Sequence, residues 1–226
     1  MATAALIPAR GGSKRLPRKN ILDLGGKPML AYPIQAALTS GLFDQVYVST
    51  EDAEIAEVAE RHGAAIIKRP AELAADRSTV VDVCVHALET FPPIDLLCCI
   101  YATAVLLKPE SIVAGYRIMR DQVDTDFVMG VSEYEHPPVQ ALKEGEGGYL
   151  SYMWPEWKGV QSQFHPRLSV SNGAVYWARR QALLKQRTFY GKRLKGLHIP
   201  AAQVSDIDTQ QDLDELRLKL NKEARL

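Results

Sequence analysis

Five cations fall within ten residues near the start of the chain. The run Pro8-Ala9-Arg10-Gly11-Gly12-Ser13-Lys14-Arg15-Leu16-Pro17-Arg18-Lys19-Asn20 carries Arg10, Lys14, Arg15, Arg18 and Lys19. Such a density repels itself unless a polyanion neutralises it, and a nucleoside triphosphate has about the right charge and size. Gly11 and Gly12 let the backbone approach a ligand closely and turn its N–H groups toward an anion. The run is not a Walker A loop, because Gly26-Lys27 is followed by Pro28, and the dinucleotide pattern GxGxxG is missing. A solvated basic loop, or a patch gripping RNA phosphates, is the alternative.

A second candidate lies near the other end, in Val204-Ser205-Asp206-Ile207-Asp208-Thr209. In an extended segment, residues two apart point to the same face, so Asp206 and Asp208 project together while Ile207 faces the core. Two convergent carboxylates suit a hard cation such as Mg²⁺, which keeps bound water and phosphate. Alternatively, Asp208 or Thr209 caps the following helix. A basic, glycine-containing loop and an Asp-x-Asp site on one sheet imply metal-assisted transfer at a phosphorus atom.

The elements that must position these groups alternate between strand and helix. Ala4 to Pro8 reads as a short apolar strand, so the cationic run emerges at the carboxyl end of a parallel sheet, where α/β proteins bind ligands. Val46-Tyr47-Val48 is a second strand, and Ser49-Thr50-Glu51-Asp52 supplies an N-cap and first-turn acids for a helix that Gly63 ends. Ala64 to Ile67 is a third strand, and Ser78 or Thr79 caps a helix with Val80, Cys84, Ala87 and Leu88 on one face. Ile94 to Ile100 is almost continuously apolar, the mark of a strand covered on both sides. A helix opening at Pro109, a strand from Phe127 to Val131, a strand from Ser171 to Trp177 and a helix over 178–186 follow. Pro28 and Pro33 pull on one helical pattern, so that helix either begins after Pro28 or kinks. Thr209-Gln210-Gln211-Asp212 resembles a capping box before an apolar stripe of Leu213, Leu216 and Leu220. The alternation predicts an α/β fold with a mostly parallel, Rossmann-like sheet flanked by helices. Residues 1–226 form one domain, with an inserted, turn-rich β arm over about 133–170.

Composition narrows the classes of function. The 226 residues hold 27 Lys+Arg against 27 Asp+Glu, and this neutrality argues against a protein that coats nucleic acid or anionic lipid. At 46% hydrophobic and 24% charged, the chain matches an ordinary globular protein. No signal peptide and no apolar run long enough to span a bilayer is evident, which makes the cytosol the expected compartment. Cys84, Cys98 and Cys99 have neither disulfide-framework nor zinc spacing and read as buried small hydrophobes. His62 and His86 fall within helical patterns and read as structural.

The opening IPARGGSKRLPRKN, then Gly25-Gly26-Lys27-Pro28-Met29 and the closing DIDTQQDL, resemble the sugar-acid cytidylyltransferases: the N-acylneuraminate (CMP-sialic acid synthetase) enzymes and their pseudaminic and legionaminic acid relatives. Val48-Ser49-Thr50-Glu51-Asp52, Lys68-Arg69-Pro70-Ala71-Glu72-Leu73 and Asn172-Gly173-Ala174-Val175-Tyr176 match in order, so the resemblance covers nearly the whole chain. It implies a fold of the nucleotide-diphospho-sugar transferase type and a role in cell-surface glycan biosynthesis. The implied reaction joins CTP to a nine-carbon 2-keto sugar acid, giving a CMP-sugar and pyrophosphate. Arg10, Lys14 and Lys19 match positions that hold the triphosphate, with Ala9, Gly11, Gly12, Ser13 and Asn20 around the nucleotide. Arg69 and Ser78 fall in the cytidine region, and Asp206 and Asp208 match the Mg²⁺-binding pair. Arg10, Lys14, Lys19 and Asp208 are the residues expected to carry catalysis. The resemblance also implies a homodimer whose arm covers the partner's sugar site; Tyr149, Tyr152, Met153, Trp154 and Trp157 suit an interface core.

The acceptor half mixes two branches. Tyr101-Ala102-Thr103-Ala104-Val105 stands where the sialic acid enzymes carry Gln-Pro-Thr-Ser-Pro, and it looks more like the pseudaminic branch. Ser171-Asn172-Gly173-Ala174 is closer to the sialic acid pattern, and Gln161-Ser162-Gln163 replaces the basic residues expected there. Tyr101, Thr103 and Asn172 are the candidate sugar contacts. The competing readings are a related nucleotidyltransferase that uses an eight-carbon ulosonic acid or a sugar phosphate, and a catalytically silent nucleotide-binding module.

Overall fold

The structure is a computed structural model that describes residues 1–90, 92–205 and 207–223, the last three of these without their side chains. Its main sheet is built from β1 (Thr3–Pro8), β2 (Gln45–Thr50), β3 (Ala65–Lys68), β4 (Leu96–Ile100), β5 (Phe127–Glu133), β8 (Ser169–Arg179) and β9 (Leu194–His198), in the order β3-β2-β1-β4-β8-β5-β9. β1 runs parallel to β2 and β4, β2 to β3, and β5 to β9, while β8 is antiparallel to both β4 and β5. The predicted mostly parallel α/β sheet is therefore present, with β8 as its one reversed strand among the described residues.

Strand β4 explains the layering. All five of its residues are buried, yet they alternate between two cores. Leu96, Cys98 and Ile100 join one cluster with Ile34, Ile55, Ile112 and Met119. Those partners come from α1 (Ala31–Thr39), α2 (Ala53–Arg61) and α4 (Pro109–Asp121). Leu97 and Cys99 join the opposite cluster with Cys84, Leu88 and Leu183, from α3 (Val80–Thr90) and α5 (Arg180–Gln186). Period-two alternation within an unbroken apolar run is what a strand covered by helices on both faces requires. The three thiols are free and fully buried, and burial pushes Cys84 and Cys98 up, as befits inert core residues.

A third, smaller core holds the two chemical segments together. Leu16 from the cationic run, Leu24, Met29, Val105, Leu106 and Ile207 pack with Leu213 and Leu216 of α6 (Gln210–Glu223). Ile207 is wholly buried, as its place between two acids implies.

Local signals account for most element boundaries. Helix α1 begins at Ala31, after Pro28, so Pro33 sits in the first turn, where its missing N–H has no partner to lose. Asp52 caps α2, accepting from the backbone of Glu54 and Ile55, and Gly63 follows the helix at φ 89°. Thr79 and Asp82 cap α3 reciprocally, and Thr209 with Asp212 does the same for α6. Asp208 is therefore not the cap. Ala178 and Arg179 belong to β8 rather than to α5. Strand β9 escapes a pattern reading because Leu-Lys-Gly-Leu-His lies at the sheet edge and is largely exposed. Between β5 and β8, β6 (Leu142–Glu144) and β7 (Leu150–Tyr152) form a separate antiparallel hairpin.

Gly115 of α4 lies against Trp177: a Cβ built there falls 2.6 Å from the indole Cδ1 and Nε1. Gly115→Ala should cost about 1–3 kcal/mol through overpacking, although alanine is intrinsically better in a helix by about 1 kcal/mol. Urea unfolding decides, and a stabilised variant would contradict the packing.

Candidate active site

The parallel strands β1 to β4 all end on one edge, and the loops that follow them meet there. They enclose a cavity of about 390 Å³, lined by Arg10, Lys19 and Asn20 from the first loop, Arg69, Asp76 and Ser78 from the third, and Tyr101 and Thr103 after β4. Leu73, Val80 and Val83 supply an apolar wall. The volume lies in the small-molecule range of roughly 300–1,000 Å³.

Every cation of the first loop is paired. Arg10 Nη1 lies 3.1 Å and Lys14 Nζ 2.5 Å from the Asp76 carboxylate. Lys14 and Arg10 hold that carboxyl below its usual range, so Asp76 stays ionised. Asp208 pairs with Arg15 at 2.7 Å and with Lys19 at 3.1 Å, and Lys19 also donates to the Ile207 carbonyl. Lys19 is only 17% exposed, against 78% for Lys14 and 69% for Arg15. Lys19 is thus a fixed part of the wall, whereas Lys14 and Arg15 are solvated and exchange partners at little cost. Arg18 turns away from the cavity onto Asp52 and Glu54.

The remaining groups support this arrangement. Asn20 is buried and donates to the Arg10 carbonyl at 2.9 Å, tying the loop to itself. Ser13 N–H donates to the Gly11 carbonyl at 3.0 Å. Arg69 is 5% exposed and donates to the Ser49 carbonyl at 2.7 Å and to its hydroxyl at 3.2 Å. Burial lowers its pKa, but a guanidinium remains charged. Ser78 donates to the Glu72 carbonyl at 2.7 Å. Below them, Tyr101 and Tyr176 rings sit 5.5 Å apart, and the Tyr176 hydroxyl is 2.7 Å from that of Ser171. Burial pushes both phenols up, so they stay protonated and can donate.

The structure thus brings Arg10, Lys19, Asn20, Arg69, Ser78, Tyr101 and Thr103 onto one cavity, with Lys14 and Asp208 beside it through their ion pairs. Ala9, Gly11, Gly12 and Ser13 shape the loop without lining that cavity. Asn172 does not line that cavity: it donates to the Ser132 hydroxyl at 3.3 Å and accepts from the Ala174 N–H. Asp206 lies outside the described residues. Among the described residues no group of three or more His, Cys, Asp or Glu is placed to hold a metal. Of the Asp-x-Asp pair, Asp208 is the described member, and its carboxylate offers hard oxygen donors of the kind a divalent cation takes. Asp76 is the acid that sequence reasoning missed, since nothing in its spacing sets it apart.

No helix of the described residues is long and apolar enough to cross a membrane. The family model described as cytidylyltransferase matches residues 4–144. A pseudaminic acid cytidylyltransferase of Campylobacter jejuni is 36% identical, with 99% of both chains covered. A CMP-N,N′-diacetyllegionaminic acid synthase of Legionella pneumophila is 32% identical, again over 99% of both. Among solved structures, a CMP:2-keto-3-deoxy-manno-octonic acid synthetase complexed with CTP superposes with a TM-score of 0.77 at 20% identity, covering 99% of this chain and all of that one, a likeness of fold. The chain belongs to the cytidylyltransferases, the CTP-dependent nucleotidyltransferases of the acylneuraminate and pseudaminate type.

Proposed function

We propose that the chain transfers CMP from CTP to the anomeric hydroxyl of a nine-carbon 2-keto sugar acid, in the presence of Mg²⁺. The hydroxyl oxygen bonds to the α-phosphorus, the bond to the β-phosphate oxygen breaks, and pyrophosphate leaves; the hydroxyl proton passes to solvent. The observation that carries this reading is the Lys19–Asp208 ion pair, which joins groups 189 positions apart beside the cavity that Arg10 also lines. Identity of 36% to a pseudaminic acid cytidylyltransferase makes that acid the first acceptor to test.

In this reading Arg10, Lys14 and Lys19 take the triphosphate oxygens, and Arg10 and Lys14 give up Asp76 to do so. Catalysis is positioning and charge neutralisation at the α-phosphate and the departing pyrophosphate. Asp208, with Asp206, would hold Mg²⁺, which when bound offsets phosphate charge. Ala9, Gly11, Gly12, Ser13 and Asn20 shape the nucleotide loop, while Arg69 and Ser78 stand at the cytidine end. Tyr101 and Thr103 face the acceptor; Asn172 supports that region through Ser132.

A coupled pyrophosphate assay with CTP, Mg²⁺ and a panel of pseudaminic, sialic, legionaminic and eight-carbon acids tests the reading. Turnover of a nine-carbon acid supports it, and turnover of the eight-carbon acid alone overturns the acceptor assignment. Lys14→Ala should raise the KM for CTP about tenfold or more, as for a lost charge-assisted bond, with the acceptor KM nearly unchanged. Asp208→Asn should lower kcat by about a hundredfold without unfolding the protein; unchanged activity would remove the metal assignment.

The same reading makes 1–226 one catalytic domain and residues 133–170 a dimerisation arm. Support comes from the apolar side chains that the segment exposes, including Tyr149 at 80%, Leu150 at 64% and Phe164 at 68%. Apolar side chains exposed within one segment suit an interaction surface. Sedimentation should find a dimer, and Leu150→Glu should shift it toward monomer; a wild-type monomer would contradict the arm.

A further inference from the structure

One short acidic segment grips the cationic loop at both ends. At the close of the loop, Arg18 adopts left-handed backbone (φ 58°), uncommon outside glycine. Its guanidinium forks onto Asp52, with Nη1–Oδ2 at 2.5 Å and Nη2–Oδ1 at 3.1 Å, and it also donates to Glu54. Asp52 simultaneously caps α2, accepting from the N–H groups of Glu54 at 3.1 Å and Ile55 at 3.0 Å. At the start of the loop, the Gly11 N–H donates to Glu51 Oε1 at 2.7 Å. A Cβ on Gly11 would lie 2.5 Å from Asp52 Oδ2, so the carboxylate rests against backbone at a position with no room for a side chain.

These contacts separate Arg18 from its neighbours. Arg10 and Lys19 line the cavity, and Lys14 and Arg15 are solvated, but Arg18 is absent from the cavity wall and committed to two carboxylates. Planar, two-point pairing of this kind fixes direction as well as distance. The hydrogen bonds from Arg18 hold the Asp52 carboxyl below its usual range, in keeping with a persistent pair.

We propose that Asp52 and Arg18 are positioning residues: their pair sets the path of residues 9–20 so that Arg10, Lys14 and Lys19 converge on the nucleotide, while Arg18 itself touches no phosphate. The inference rests on the loop reading above and goes beyond it, since charge alone counts Arg18 among the phosphate ligands.

A double-mutant cycle on the full chain tests it. Asp52→Ser keeps a capping oxygen for α2 while removing the fork, and Arg18→Met keeps most of the stem. Each single variant should raise the KM for CTP about fivefold to tenfold and leave the acceptor KM unchanged, and the double variant should be no worse than the poorer single. Arg18→Lys should recover only part of the loss, because an ammonium cannot fork. Multiplying effects, with Arg18→Met far worse than Asp52→Ser, would make Arg18 a direct phosphate ligand and overturn the proposal. So would singles that change only the melting temperature. A wild-type chain that releases no pyrophosphate from CTP would instead overturn the functional reading itself.

Discussion

Five cations confined to ten residues must be neutralised, and this constraint organises the active-site edge of the molecule. The acids that do so arrive from three separate places: Asp52 and Glu54 after β2, Asp76 before α3, and Asp208 before α6. Such a run therefore does not depend on an external polyanion alone, because the protein carries its own carboxylates in that role. The pairs are not equivalent. The Asp76 carboxylate is half exposed and Lys14 upon it is solvated and exchangeable, while Lys19 and the Asp52 carboxylate that takes Arg18 are held in drier surroundings. A loop built this way is kept in shape without ligand, yet can surrender its most accessible cations to a more highly charged one.

What brings the two ends of the chain together is apolar rather than ionic. Leu16 and Ile207 are buried in the same small core; Arg15 directly precedes the first and Asp208 directly follows the second, and both carry charges that favour solvent. Burying these anchors places Arg15 and Lys19 opposite Asp208, so the ion pairs register a geometry that hydrophobic packing creates. The cavity then follows from the shared edge of the parallel strands, with a polar half from the first loop and an apolar half from Leu73, Val80 and Val83. That division suits a ligand with a charged tail and a flat ring, and the family to which the chain belongs uses CTP.

Much of this was legible in the residues. The all-apolar run of β4, the caps at Asp52, Thr79 and Thr209, and the inward-facing Ile207 are local signals, and local signals survive folding. Less legible was anything set by distant partners. The role of Asp76 depends on two loops meeting, and no spacing announces that. Asn172 matches a family landmark, yet its side chain is turned onto Ser132 rather than into the cavity. Strand β9 was invisible because an exposed edge strand needs no apolar alternation. Arg18 shows the limit of reading charge alone: it shares its sign with Arg10 and Lys14 but not their surroundings.

The central claim is that the cationic loop and Asp208 grip one CTP in the cavity after β1. A crystal structure of the full chain with CTP tests it most directly. The account predicts the triphosphate in that cavity, Arg10 and Lys14 moved from Asp76 onto phosphate oxygens, and Lys19 and Asp208 on the same ligand. CTP bound elsewhere, or bound there with both cations still on Asp76, would contradict it.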